Sequence, residues 1–240
     1  PFAPKATSSV WYFSRKILGN SRFDSLIFLY KNYFSLGVTL IDKTAVAAGK
    51  AGEFSFEFNE PEEVKKILND KSGAIIIGAH FGNWEVGAPF FDKYGKEMRV
   101  VMIDAEYQKI KMILEREKRV DTFKVIPISE DIFSNIFEIR DALADGAYVA
   151  IQGDRLTSST KNETVKFMGA DAQFPLGPFI MASRFGFPVV FYYAVRTGFK
   201  HYSFHFSLCP VSGVSSQKRV FEKQILEEYV KSLEKVVKIA

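Results

Sequence analysis

Apolar positions recur at helical spacing through residues 21–41, where Phe23, Leu26, Ile27, Tyr30, Tyr33, Phe34, Gly37 and Leu40 predict an amphipathic helix. Residues 54–58 alternate apolar and polar with period two and predict a short strand. Asn59-Glu60-Pro61 then opens a helix to about Asn69, because proline suits a first helical turn. The continuous run Ala74-Ile75-Ile76-Ile77-Gly78-Ala79 predicts a buried strand, followed at once by His80 and a new helix. Further strands are predicted at 99–103, 124–128 and 147–152, with helices at 105–119 and 132–143. Pro178 opens a helix that stops near Gly186, and residues 189–195 and 201–208 read as a hairpin joined by Thr197-Gly198. A last helix is predicted over 220–239. Strands alternating with helices predict an α/β fold: a mainly parallel mixed sheet flanked by helices, antiparallel additions at one end, and an N-terminal helical portion. The expected organisation is one domain over 1–240, with a helical portion at 1–52 and an α/β core at 53–240.

Composition changes this picture at two points. The 240 residues are 47% hydrophobic and 25% charged, enough to fold around a full core without disulfides. A single cysteine, Cys209, excludes an internal disulfide and a cysteine-built zinc site, and any catalytic histidine must be His80, His201 or His205. Aromatics make up 15% of the chain, and 24 of them are Phe. Residues 1–52 carry seven Lys/Arg against two acids, a net of +5, which leaves −1 for the rest. The same stretch holds Trp11, Tyr12, Phe13, Phe23, Phe28, Tyr30, Tyr33 and Phe34. Two readings fit: a basic aromatic segment resting on an anionic membrane surface, or a helical subdomain packing its aromatics on the core. Asp24 and Lys31 interrupt the best apolar window, so nothing here spans a bilayer. The chain starts at Pro1 without Met, and a membrane anchor preceding it is compatible with that start. The pI near 9.0 raises nucleic-acid binding, but the excess charge lies in an aromatic helix and not in a nucleic-acid motif, so no such partner is expected.

The most informative segment is His80-Phe81-Gly82-Asn83-Trp84-Glu85 at the end of an apolar strand. On a regular helix, five residues separate two side chains by about 140°. His80 and Glu85 meet only if His80 lies in the turn before the helix, which Gly82 permits. A carboxylate holding one imidazole nitrogen fixes the tautomer and makes the other a general base. The alternative is a histidine that caps a helix start, with Glu85 in solvent. A second apolar strand, Tyr148-Val149-Ala150-Ile151-Gln152, runs into Gly153-Asp154-Arg155. Arg155 there reaches the same sheet edge and suits a phosphate, with Asp154 holding it, unless the pair only shapes a turn. There is no GxSxG elbow, Walker loop or HExxH, and no metal ligand set is evident. His201 and His205 read as ordinary strand residues and Cys209 as inert packing. The mixed-charge helix predicted from residue 105 reads as a solvated face or a dock for an acidic carrier protein or lipid phosphates.

Taken together, the HFGNWE of His80–Glu85, the QGDR of Gln152–Arg155, Phe167-Met168-Gly169, Pro175-Leu176-Gly177 and Gly186-Phe187-Pro188 resemble the late acyltransferases of bacterial lipid A biosynthesis. That lauroyl/myristoyl transferase family lies within the glycerolipid acyltransferases that carry an HX4(D/E) signature. The resemblance spans roughly residues 73–195. It implies transfer of an acyl chain from acyl carrier protein or coenzyme A to a hydroxyl of a membrane lipid, a lipid A precursor in the first instance. The same superfamily acylates amino-acid lipids, glycolipids and lysophospholipids, and a non-catalytic lipid-binding protein of the same fold is the further alternative. By resemblance His80 is the general base and Glu85 its orienting partner. Asp154 and Arg155 belong to the acceptor or phosphate subsite, and Asn83 positions the helix start or the oxyanion. No metal or other cofactor is implied. The expected location is the cytoplasmic face of the bacterial inner membrane, peripheral or anchored by a preceding segment.

Overall fold

The computed structural model describes residues 3–87, 91, 93–103, 124–128, 135–156, 161–211 and 218–239. Its strands are β1 (Ser55–Asn59), β2 (Ala74–Gly78), β3 (Met98–Ile103), β4 (Lys124–Ile128), β5 (Tyr148–Gln152), β6 (Asn162–Phe167), β7 (Ala170–Pro175), β8 (Val189–Gly198) and β9 (His201–Leu208). Its helices are α1 (Pro4–Tyr12), α2 (Arg22–Ala45), α3 (Glu62–Asn69), α4 (Ile136–Ala144), α5 (Gly177–Phe185) and α6 (Lys218–Ile239). Seven strands form one sheet in the order β1-β9-β8-β2-β5-β3-β4, and β6 pairs with β7 apart from it. Every pairing in the large sheet is parallel except β8 with β9. The fold is the expected α/β architecture.

β2 sits in the middle because its residues have no polar face. All five are buried, with β8 on one side and β5 on the other. Ile75 and Ile77 project into a core with Leu143 of α4, Phe179 of α5 and Leu226 and Tyr229 of α6. Ala74 and Ile76 face the opposite core, with Val64 and Leu68 of α3, Tyr148, Val190 and Phe204. A strand covered on both faces must read as an unbroken apolar run, which is why β2 and β5 stand out in the sequence.

Three local expectations change. His80 is followed by a short 3-10 turn, Trp84–Gly87, where a helix was predicted. The hairpin between β8 and β9 turns at Phe199-Lys200, after an irregularity between Arg196 and Gly198, with Lys200 at φ 49°. The β6–β7 hairpin was not predicted; it closes on Met168 and Gly169, at φ 52° and 81°. The charged helix predicted at 105–119 and the first residues of the one at 132–143 lie outside the described residues.

α2 runs 24 residues, four longer at its carboxyl end than predicted, and is capped by Ser21, whose hydroxyl accepts from the Asp24 amide at 3.1 Å. α1 rests against α2 through a hydrogen bond between the Thr7 and Tyr33 hydroxyls at 2.7 Å, and Phe13, just beyond α1, stands against the Phe28 ring. The predicted apolar stripe of α2 does not enter the core. Phe23 is 71% and Ile41 69% exposed, and Leu26, Ile27, Tyr30, Tyr33, Phe34 and Leu40 between them are exposed too. Only Ser25 and Asp42 of this helix are buried.

Candidate active site

The site follows from sheet register. β2 and β5 are parallel neighbours with Gly78 opposite Gln152. Two residues further along each chain come His80 and Asp154, so the register places them side by side beyond the carboxyl ends of the strands. Open α/β sheets form their sites at that edge. The Asp154 carboxylate grips His80 with both oxygens: Oδ2 accepts the His80 backbone N–H at 2.7 Å, and Oδ1 lies 2.8 Å from Nδ1. A carboxylate only accepts hydrogen bonds, so Nδ1 carries the hydrogen and Nε2 is left with its lone pair.

The strand ends beneath the pair are fixed. The Gly78 carbonyl accepts from the Gly153 amide and the Tyr229 hydroxyl, each at 2.9 Å. Gly153 has no room for a side chain, since a Cβ would lie 2.8 Å from Cζ of the Tyr229 ring. Burial, with the Asp154 charge as a smaller contribution, holds the Tyr193 and Tyr229 phenols well above their ordinary range, so both stay neutral donors.

Beyond His80 the chain folds back over β8. Gly82 takes φ 80° and bridges to Ala194, and the Asn83 amide donates to the Ala194 carbonyl at 2.8 Å. Glu85 stands apart from His80, while Asn83 directly precedes the 3-10 turn, its carbonyl accepting from the Val86 amide at 3.3 Å. Glu85 does not hold His80; its carboxylate pairs with Lys43 of α2 at 2.9 Å. The turn where a helix was expected accounts for this, because it carries Glu85 away from the imidazole. Asn83 is 2% exposed and its amide donates to the Tyr202 hydroxyl at 3.2 Å and the Thr39 carbonyl at 3.3 Å, so its side chain faces a buried contact with α2 and not an oxyanion. Tyr202 in turn donates to Asp42 at 2.7 Å, and burial pushes its phenol up to about 12.

Arg155 follows Asp154 directly and is exposed at the same edge, as expected. His201 accepts or donates one hydrogen bond to Ser55 at 2.6 Å across β1 and β9, and His205 pairs across the sheet with Tyr193. Both lie on β9, which β8 separates from β2. Burial of Cys209 pushes its thiol up to about 11. Among the described residues no group of three His, Cys, Asp or Glu is placed to hold a metal ion. Lys43 and Tyr229 were missed by sequence reasoning, and Asp154 was assigned to the acceptor subsite. The signal for Asp154 was present: aligned as parallel neighbours from their first residues, Ala74 and Tyr148, the two runs bring His80 opposite Asp154.

Among the core side chains, Ile76, Gly78, Trp84, Phe91, Met98, Ala150, Ile151, Gln152 and Tyr192 line a small apolar cavity of about 20 Å³, room for about one water molecule. No serine or cysteine is hydrogen-bonded to His80 among the described residues. A histidine oriented by a carboxylate at a sheet edge is an arrangement that can act as a general base toward a hydroxyl.

The chain belongs to the bacterial lipid A biosynthesis acyltransferase family, whose model matches residues 29–240. The protein is therefore an acyltransferase of a membrane-associated family. No curated protein matches it closely enough to count as a relative. No helix among the described residues is long and apolar enough to cross a membrane.

Proposed function

We propose that the protein transfers an acyl chain from an acyl carrier protein or coenzyme A thioester to a hydroxyl of a lipid A precursor, with His80 as general base and Asp154 as the group that orients it. The observation that carries this reading is the two-oxygen grip of Asp154 on His80. His80 Nε2 takes the proton from the acceptor hydroxyl as that oxygen attacks the thioester carbonyl. The tetrahedral oxyanion collapses, the carbon–sulfur bond breaks, and the imidazolium returns the proton to the departing thiolate. The Asp154 carboxylate stabilises the imidazolium between the two steps.

Arg155 suits a phosphate of the acceptor through paired N–H donors. Glu85, in this reading, is not the partner of His80. The exposed stripe of α2, in a stretch of net charge +5, supports seating on an anionic membrane surface. Each apolar side chain removed from water adds up to about 1.5–3 kcal/mol, and each basic residue near the surface about 1 kcal/mol. We place the enzyme at the cytoplasmic face of the inner membrane, where thioester donors are made. The test is transfer from a panel of thioesters to total bacterial lipid, with products read by mass. A His80-dependent product on a lipid A precursor supports the reading. A product on an amino-acid lipid, glycolipid or lysophospholipid revises the acceptor, and lipid binding without turnover by any donor overturns the reading.

A further inference from the structure

We infer that Lys43 of α2 is a positioning residue for the catalytic loop, and that Glu85 serves this clamp instead of orienting the imidazole; the inference rests on His80 being the base. The loop from Ala79 to Gly87 leaves β2 and is held near its start by Asp154 and Ala194. Further along, its side chains reach α2: Asn83 donates to the Thr39 carbonyl at 3.3 Å, and Glu85 pairs with Lys43 at 2.9 Å. Thr39, Asp42 and Lys43 share one face of α2, roughly opposite the stripe formed by Phe23, Ile27, Phe34 and Ile41. The same helix therefore grips the loop with one face and presents bare apolar surface with the other.

The Lys43–Glu85 pair is partly sheltered, with side chains 37% and 28% exposed. Pairs of this kind add little to stability. Geometry is the more sensitive quantity, because a displacement of about 1 Å costs up to about 100-fold in rate. A clamp thus predicts a large effect on turnover with a small one on melting, the opposite of a merely structural ion pair.

The experiment uses the whole chain in a Trp11→Phe background, which leaves Trp84 of the loop as the sole tryptophan. Lys43→Met is expected to lower kcat about tenfold with donor KM within twofold and Tm within about 2 °C, and to make Trp84 easier to quench with acrylamide. Lys43→Arg is expected to restore both readouts. Glu85→Gln should match Lys43→Met, and the double variant should be no worse than either. Losses that multiply in the double variant, or wild-type kcat and quenching in Lys43→Met, overturn the inference. His80→Ala is run alongside; full activity there overturns the general-base reading, while Trp84 quenching still reports the clamp without any turnover.

Discussion

Gly82→Ala puts the loop geometry under direct strain. Gly82 holds φ 80°, and a Cβ built there would stand 2.0 Å from the Ala194 carbonyl oxygen and 2.9 Å from its carbon. Both are backbone atoms of a buried central strand, so they cannot swing aside as a side chain would. The left-handed conformation costs alanine about 1–2 kcal/mol. Relieving the contact lifts the loop by about 1 Å and weakens the Asn83 N–H to Ala194 bond, worth about 0.5–1.5 kcal/mol. Together these give roughly 1.5–3.5 kcal/mol of destabilisation, and Tm should fall by ~2–4 °C for each kcal/mol. The displaced loop carries His80, so kcat should drop by about 100-fold. Gly146→Ala is the matched control: it has φ 87°, and its Cβ would lie 2.7 Å from the Lys71 carbonyl, at the amino end of β5 and away from the site. It should lower Tm comparably and leave kcat within about threefold. Thermal melts and single-donor transfer kinetics on both variants decide the matter. Wild-type kcat in a folded Gly82→Ala, or equal loss of kcat in both variants, would refute the reasoning.

Two further outcomes are expected. Phe34→Asp with Ile41→Asp should leave the far-UV spectrum unchanged, since both side chains are exposed, and reduce co-sedimentation with anionic vesicles at least tenfold; unchanged sedimentation would remove α2 as the membrane seat. Cys209 should resist aromatic disulfide reagents at pH 8 in the native protein and react at once after denaturation, because it is 2% exposed with its thiol pushed up to about 11 from 9.0. The folded chain keeps that proton longer than the unfolded one. The group's contribution to stability is therefore full below pH 9 and is lost as the pH rises through about 11, which alkaline melts of wild type against Cys209→Ala would show.

The sheet was legible in the sequence wherever a strand is buried on both faces. The runs at Ala74–Gly78 and Tyr148–Gln152 are apolar nearly throughout, and a glycine, Gly78 or Gly153, stands within two residues before His80 or Asp154. What was not legible is which strand lies beside which, because that pairing joins residues 74 positions apart. The His80–Asp154 contact depends wholly on it. The local spacing of His80 and Glu85 pointed the wrong way for a related reason: the regular helix it invited is replaced by a loop tied to Ala194 and Thr39, both distant in sequence. β6 and β7 escaped notice because their alternation is half polar and partly exposed, the weakest strand signal in the chain. The α2 stripe was read correctly as amphipathic, but only the fold shows that its apolar side is left outside the core.

The measurement closest to the central claim compares three variants in one acyl-transfer assay with product detected by mass. His80→Ala should abolish transfer. Asp154→Asn, which keeps the shape but removes the charge that orients and stabilises the imidazole, should lower kcat by about 10²–10⁴-fold. Glu85→Gln, which loosens the loop without touching the base, should cost about tenfold. Full activity in His80→Ala, or a greater loss in Glu85→Gln than in Asp154→Asn, would contradict the account.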